Sequence, residues 1–135
     1  MVAFTPDLLT KIQTIDDQHR ELVKAINDVE GMGDKSYSKE ETEKTLDFLS
    51  DYVAKHFKNE EALMREGGYE KYTWHCTWHD GYIAKVKALK EEYSKNGPSE
   101  EFTYILNEFV IKWIVKHIKT VDVALGKHLQ EKGFK

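Results

Sequence analysis

The chain has 135 residues, enough for one domain with a buried core. With 40% hydrophobic and 33% charged residues it is neither disordered nor membrane-embedded. A net charge of −4, with Lys and Glu interspersed, excludes the basic face of a nucleic-acid binder.

An N-terminal arm comes first, followed by a segment from Asp16 to Met32 with apolar positions at Ile15, Leu22, Ile26 and Val29. The turn signal Gly31-Met32-Gly33-Asp34-Lys35 ends it. A second segment, Ser38 to Glu66, carries Leu46, Leu49, Val53 and Leu63, and Ser38 with Glu41 has the spacing of a capping box. Gly67-Gly68 separates it from a third, Tyr69 to Lys95, with Tyr72, Tyr82, Val86, Leu89 and Tyr93. After Asn96-Gly97-Pro98, Ser99 is placed to cap a fourth segment, which runs to about Lys119 with Phe102, Leu106, Phe109 and Trp113. The steps are threes and fours, as a helix requires, with no strand-like alternation. Four amphipathic helices with short connections predict an all-α fold. The architecture is an up-down-up-down antiparallel four-helix bundle with an N-terminal arm and a short C-terminal helix, in one domain over residues 1–135.

Polar residues interrupt these stripes on the inward side. His19 lies on the first, His56 and Glu60 on the second, His75 and His79 on the third, and His117 on the fourth. Residues four apart share a helix face, so His56 pairs with Glu60 and His75 with His79. In an up-down bundle these positions all fall toward the same end. Buried imidazoles and a carboxylate without partners would cost several kcal/mol, and a shared metal removes that cost. Imidazole suits several transition metals and carboxylate can bridge two. Five His with two carboxylates exceed one tetrahedral zinc, which points to two ions. Asp122 is the seventh candidate, but five residues from His117 is about 140° around an ideal helix. Both face inward only if the helix is broken, bulged or tightly turned between Ile118 and Val121. Thr120 is then placed to cap a short last helix reaching about Gln130.

A single His, then HxxxE, HxxxH and HxxxxD on successive helices, with IDDQHREL, HFKNEEALM and WIVKHI around the ligands, resembles the hemerythrin family, specifically its single-domain bacterial members. The likeness spans about Ile15 to Asp122; Phe4 stands where such proteins often carry Trp. The resemblance implies two non-haem iron ions with a bridging oxo or hydroxo group. One ion would be held by His75, His79 and His117 and the other by His19 and His56, with Glu60 and Asp122 bridging. The two-His iron is then one ligand short, and O2 would bind there. Carboxylate-rich di-iron sites are built on paired ExxH motifs. The nearest feature here is a single DxxH, Asp16 with His19, where Asp16 reads as a helix cap.

Leu22, Phe57, Trp113, Ile114 and Ile118 lie beside the ligands in spacing and are the expected lining of a dry O2 pocket, although each is also an ordinary core position. Trp78 and Tyr82 flank His79 and are expected to pack nearby. Cys76 points about 100° away from His75 and reads as a passive thiol, and His128 as a surface residue of the last helix.

The implied function is reversible O2 binding for transport, storage or delivery, without catalysis. The alternatives are sensing of O2, NO or redox state, a di-iron peroxidase or NO-scavenging activity, and metal storage. The expected partner is O2, with no nucleic acid and no membrane span; an oxygen-consuming enzyme partner stays unidentified. A lone cysteine excludes an internal disulfide and, with no secretory signal in MVAFTPDLLTK, fits the cytoplasm.

Overall fold

The computed structural model describes residues 2–31 and 38–135, and only the backbone of 29–31. The Gly31 to Lys35 turn and the inward placement of Val29 therefore fall outside the described residues. A 3-10 turn, Pro6–Leu8, leads into α1 (Gln13–Gly31), α2 (Lys39–Glu66) and α3 (Tyr72–Asn96). A fourth helical rod contains α4 (Glu100–Ile105), α5 (Lys112–His117) and α6 (Val123–Glu131), joined by π-helical segments Leu106–Ile111 and Ile118–Asp122. Each rod packs against the next, and α1 also meets the Leu106–Ile111 segment, which closes the four-helix bundle.

Local chemistry sets the boundaries. Ser38 Oγ accepts from Glu41 N–H at 3.1 Å and Ser99 Oγ from Phe102 N–H at 3.0 Å, so both expected caps form. Losing either cap would cost about 1 kcal/mol. α2 ends where Gly67 N–H returns to Leu63 O at 2.9 Å, followed by Gly68 at φ 60°. At the end of α3, Gly97 at φ 64° donates to Tyr93 O at 2.8 Å. Both positive φ values favour glycine.

Among the described residues the stripes bury as expected on α1 to α3, except that Met64 replaces Leu63 as the fully buried residue near the end of α2 and Tyr72 at the start of α3 is half-buried. The fourth rod departs further. Val110, Ile111 and Ile114 are buried, whereas Phe109 and Trp113 are half-buried. The cause is the wide turn at Leu106–Ile111, where Lys112 N–H reaches back five residues to Asn107 O. It inserts one residue into the period and rotates the rest of the rod about its axis. Tyr82 steadies this turn by donating its hydroxyl to Val110 O at 3.2 Å.

The second wide turn lies where the Asp122 spacing demanded an irregularity. It is a bulge within a continuous rod, not a break: Val123 N–H reaches Ile118 O, five residues back, and the flanking residues stay helical. Thr120 therefore caps nothing. Its hydroxyl donates to Lys116 O at 2.7 Å, a mid-helix back-bond, and the expected short last helix is the end of the fourth rod.

The ends of the chain seal one mouth of the bundle. Asp16 accepts from Thr10 N–H at 2.8 Å, Thr10 Oγ1 at 2.7 Å and Lys11 N–H at 3.0 Å. It thus ties down the arm just before α1, where Lys11 has φ 64°. Gly126 lets α6 approach this arm, since a Cβ there would stand 2.4 Å from Thr10 O. His128 is half-buried rather than on the open surface; its Nε2 donates to Gly67 O at 2.7 Å and its ring lies 5.0 Å from that of Tyr69. It pins α6 to the α2–α3 turn.

Two apolar layers result. The larger contains Leu22, Leu49, Val53, Phe57, Tyr82, Leu89, Ile114 and Ile118 among others. The smaller, at the sealed mouth, consists of Ile12, Ile15, Met64, Leu125 and Leu129, with Tyr69, Tyr72 and Cys76 packed against it. Along every rod the polar inward residues fall between these layers.

Candidate metal centre

The sequence brings seven polar side chains inward, and the fold puts them in one layer. His19, His56, Glu60, His75, His79, His117 and Asp122 are each at most 1% exposed. On α2 and α3 the four-residue spacing stacks His56 over Glu60 and His75 over His79. On the fourth rod the wide turn stacks residues five apart, so His117 Nε2 stands 3.0 Å from Asp122 Oδ1. An undisturbed α-helix would have turned Asp122 away.

The donor atoms fall into two overlapping groups, each within 4.8 Å. One contains Glu60, His75, His79, His117 and Asp122, the other His19, His56, Glu60 and Asp122. Both carboxylates belong to both groups. Glu60 Oε1 is 3.2 Å from His75 Nε2, and Oε2 is 3.0 Å from His56 Nε2. Asp122 Oδ1 is 3.0 Å from His75 Nε2 and Oδ2 is 3.0 Å from His19 Nε2.

These contacts are close without being good hydrogen bonds. Nε2 of His19, His56, His75 and His117, Glu60 Oε2 and both Asp122 oxygens are buried with no hydrogen-bond partner. Short separations with poor angles mean that the lone pairs point to common centres rather than at one another. Buried polar groups are normally paired, and an orphaned set of this size is what a missing cation satisfies. The donor set, five imidazoles and two carboxylates shared between two foci, fits two divalent transition-metal ions.

The outer ring nitrogens show how two imidazoles are oriented. His56 Nδ1–H donates to Gln18 Oε1 at 2.7 Å, and Asn59 Nδ2 donates to the same oxygen at 3.1 Å. His79 Nδ1–H donates to Glu61 Oε2 at 2.9 Å. Protonation at Nδ1 frees Nε2 to ligate a metal; in this structure His56 Nε2 has no hydrogen-bond partner and His79 Nε2 lies 3.1 Å from Glu60 Oε1. Gln18, Asn59 and Glu61 escaped sequence reasoning, because a chain rich in surface carboxylates and amides does not mark those within reach of a ligand. Nδ1 of His19, His75 and His117 has no partner.

Without metal, the cluster holds protons. Burial lowers the affinity of His19 for a proton, but Asp122 and Glu60 outweigh it and push its pKa up to about 9. His75 is likewise lowered by burial and raised by Asp122 and Glu60, to about 9. Burial raises Glu60, yet His56, His19 and His75 hold it well below the usual carboxylate range. Asp122 is raised by burial and by Glu60, but His117 and His19 prevail and hold it low.

Aromatic rings enclose the layer. Phe57 stacks on His79 with centroids 3.8 Å apart, and Trp113 on His117 at 4.6 Å. Tyr82 in turn stacks on Trp113 at 4.4 Å. Trp78 lies 6.2 Å from His117. Leu22, Phe57, Ile114 and Ile118 are buried in the larger apolar layer, and Trp113 is half-buried against it. Cys76 is half-buried in the smaller layer, where burial pushes its thiol pKa up.

Residues 10–127 match the profile of the Hemerythrin HHE cation binding domain. The chain is 32% identical to a bacteriohemerythrin of Methylococcus capsulatus over 120 residues, 87% of each chain. It is 30% identical to myohemerythrin-1 of Phascolopsis gouldii over 112 residues, 80% of this chain and 77% of that one. A crystal structure of wild-type hemerythrin superposes with a TM-score of 0.82 at 30% identity, covering 96% of this chain and 98% of the other. With the profile spanning most of its length and the bundle and inward residues in agreement, the chain belongs to the hemerythrin family.

Proposed function

We propose that this chain binds O2 reversibly at a pair of non-haem irons and acts as a carrier, store or deliverer rather than as an enzyme. The observation that carries the reading is the asymmetry of the buried layer: three imidazoles gather at one focus and two at the other, around two shared carboxylates. His75, His79 and His117 would hold one iron and His19 and His56 the other, with Glu60 and Asp122 in reach of both. The focus with two imidazoles would leave room for the gas, and a pair of ferrous ions would supply the electrons that O2 takes up.

The protein's own contribution is orientation and dryness. Gln18 and Glu61 set the tautomers of His56 and His79. Leu22, Phe57, Trp113, Ile114 and Ile118, in or against the larger apolar layer, would keep water and protons from a bound gas. The smaller apolar layer excludes water from the sealed mouth. Among the described residues no helix is long and apolar enough to cross a membrane. The single free cysteine fits a reducing cytoplasm.

Anaerobic reconstitution with Fe(II), then cycling between air and vacuum, tests the reading. A visible charge-transfer band should appear with O2 and vanish on its removal. A band that never forms, or that forms once and bleaches irreversibly, rules out reversible carriage.

A further inference from the structure

All three tryptophans of the chain lie on one face, where α3 meets the fourth rod. A groove of about 310 Å³ opens there beside the buried layer. Its walls include Tyr69, Trp74 and Trp78, Lys71 and Lys116 stand on its lining, and His117 is at its buried side. Trp74 is 48% exposed, a large apolar surface to leave in water.

The geometry points to a small-molecule site in this groove for a flat aromatic ring carrying an anionic group, of the flavin mononucleotide type. Three features define that ligand. The Trp74 and Trp78 rings meet nearly at right angles, at 79° with centroids 6.1 Å apart. They form a corner in which a flat ring stacks on one indole and meets the edge of the other. The charge is the second feature. None of the residues lining the groove is acidic, in a chain of net charge −4, while two are lysines. Lys71 Nζ lies 5.7 Å from the Trp74 ring, so a stacked anion meets a cation at the same place. The third is the closed inner end: His117 is on the lining yet only 1% exposed, so a ligand lies along this face and does not enter the metal layer. Size agrees, because pockets for small molecules begin at roughly 300 Å³.

The site is separate from the proposed gas site and does not depend on O2 binding. It shares with the metal layer only His117, whose imidazole faces the carboxylates.

Fluorescence titration of flavin mononucleotide with the iron-loaded protein tests the proposal, riboflavin serving as the uncharged comparison. Saturable quenching of the flavin is expected, with riboflavin binding several-fold more weakly. Trp74→Ala should weaken binding about tenfold through lost stacking. Lys71→Gln with Lys116→Gln should weaken flavin mononucleotide about threefold and leave riboflavin unchanged. Lys87→Gln, at a different surface depression, should change nothing. Trp74, Lys71 and Lys116 are exposed, so these variants should retain fold and iron, checked by circular dichroism and iron content. Absence of saturable quenching, equal affinity for the two flavins, or equal affinity in Trp74→Ala would overturn the proposal.

Discussion

The two halves of the bundle interior are built to opposite rules. Away from the sealed mouth, Leu46, Leu49, Val86, Leu89, Tyr93, Phe102 and Leu106 are almost wholly buried and interlock at ordinary helical spacing. Such burial contributes roughly 1.5–3 kcal/mol per large side chain and needs no partner beyond other hydrocarbon. Toward the mouth, seven polar side chains occupy core positions, and most of their inward atoms lack hydrogen bonds. That layer holds an empty bundle together less well than hydrocarbon would and stabilises a loaded one. The apolar half holds the rods in register so that the polar half can wait for metal.

The contrast between the halves is broken most directly by removing metal. If the polar layer gains stability from bound ions, saturating Fe(II) at about a thousand times its dissociation constant should add about 4 kcal/mol for each ion bound. Anaerobic chemical denaturation with and without iron reads this, and equal midpoints would mean that the layer is indifferent to metal. Next, Leu49→Ala should cost about 2–5 kcal/mol in both states while iron content stays at two per chain. A loss of iron in that variant would show that the halves are not separable.

Glu61→Gln sharpens the distinction within the polar half. It should leave unfolding of the metal-free protein nearly unchanged but weaken metal retention roughly 10–100-fold, as competition with a chelator would report. The pH dependence arises from His19 and His75, whose folded pKa of about 9 exceeds the ordinary 6.5. In metal-free protein their stabilisation is fully present below pH 6.5 and is lost as pH rises through about 9. Glu60 and Asp122, held low, contribute above the usual carboxylate range and lose that contribution in acid. Metal must displace the histidine protons, so its affinity should rise with pH over the same 6.5 to 9 window, with up to about two protons released. Affinity that stays flat across this window would contradict the proton-holding cluster. The smallest effect belongs to the surface: Asp47→Asn removes an exposed pair with Lys90 and should shift stability by no more than about 0.5 kcal/mol.

Much of this was legible in the sequence because period and residue type reinforce each other. The rods come from steps of three and four, and the ligand layer from polar residues placed where those steps require hydrocarbon. Even the bulge before Asp122 is implied, since a five-residue step cannot keep both side chains inward on a regular helix. The bulge at Leu106–Ile111 was not legible. In the run Phe109-Val110-Ile111, three neighbouring apolar residues could each face inward, so the stripe gave Phe109 a place that Val110 and Ile111 occupy. Gln18 and Glu61 were hidden for a different reason. Which of many surface polar groups reaches an imidazole depends on the approach of two helices, a distance that one helix's periodicity does not encode.

In the proposed centre, seven side chains from four rods hold two irons as one coupled pair. Electron paramagnetic resonance of the fully oxidised, iron-saturated protein, alongside its iron content, tests this directly. Two irons per chain with no signal from isolated high-spin ferric iron is the predicted result, because a shared bridge couples the two spins. One iron per chain, or two with the full signal of uncoupled ferric ions, would contradict it.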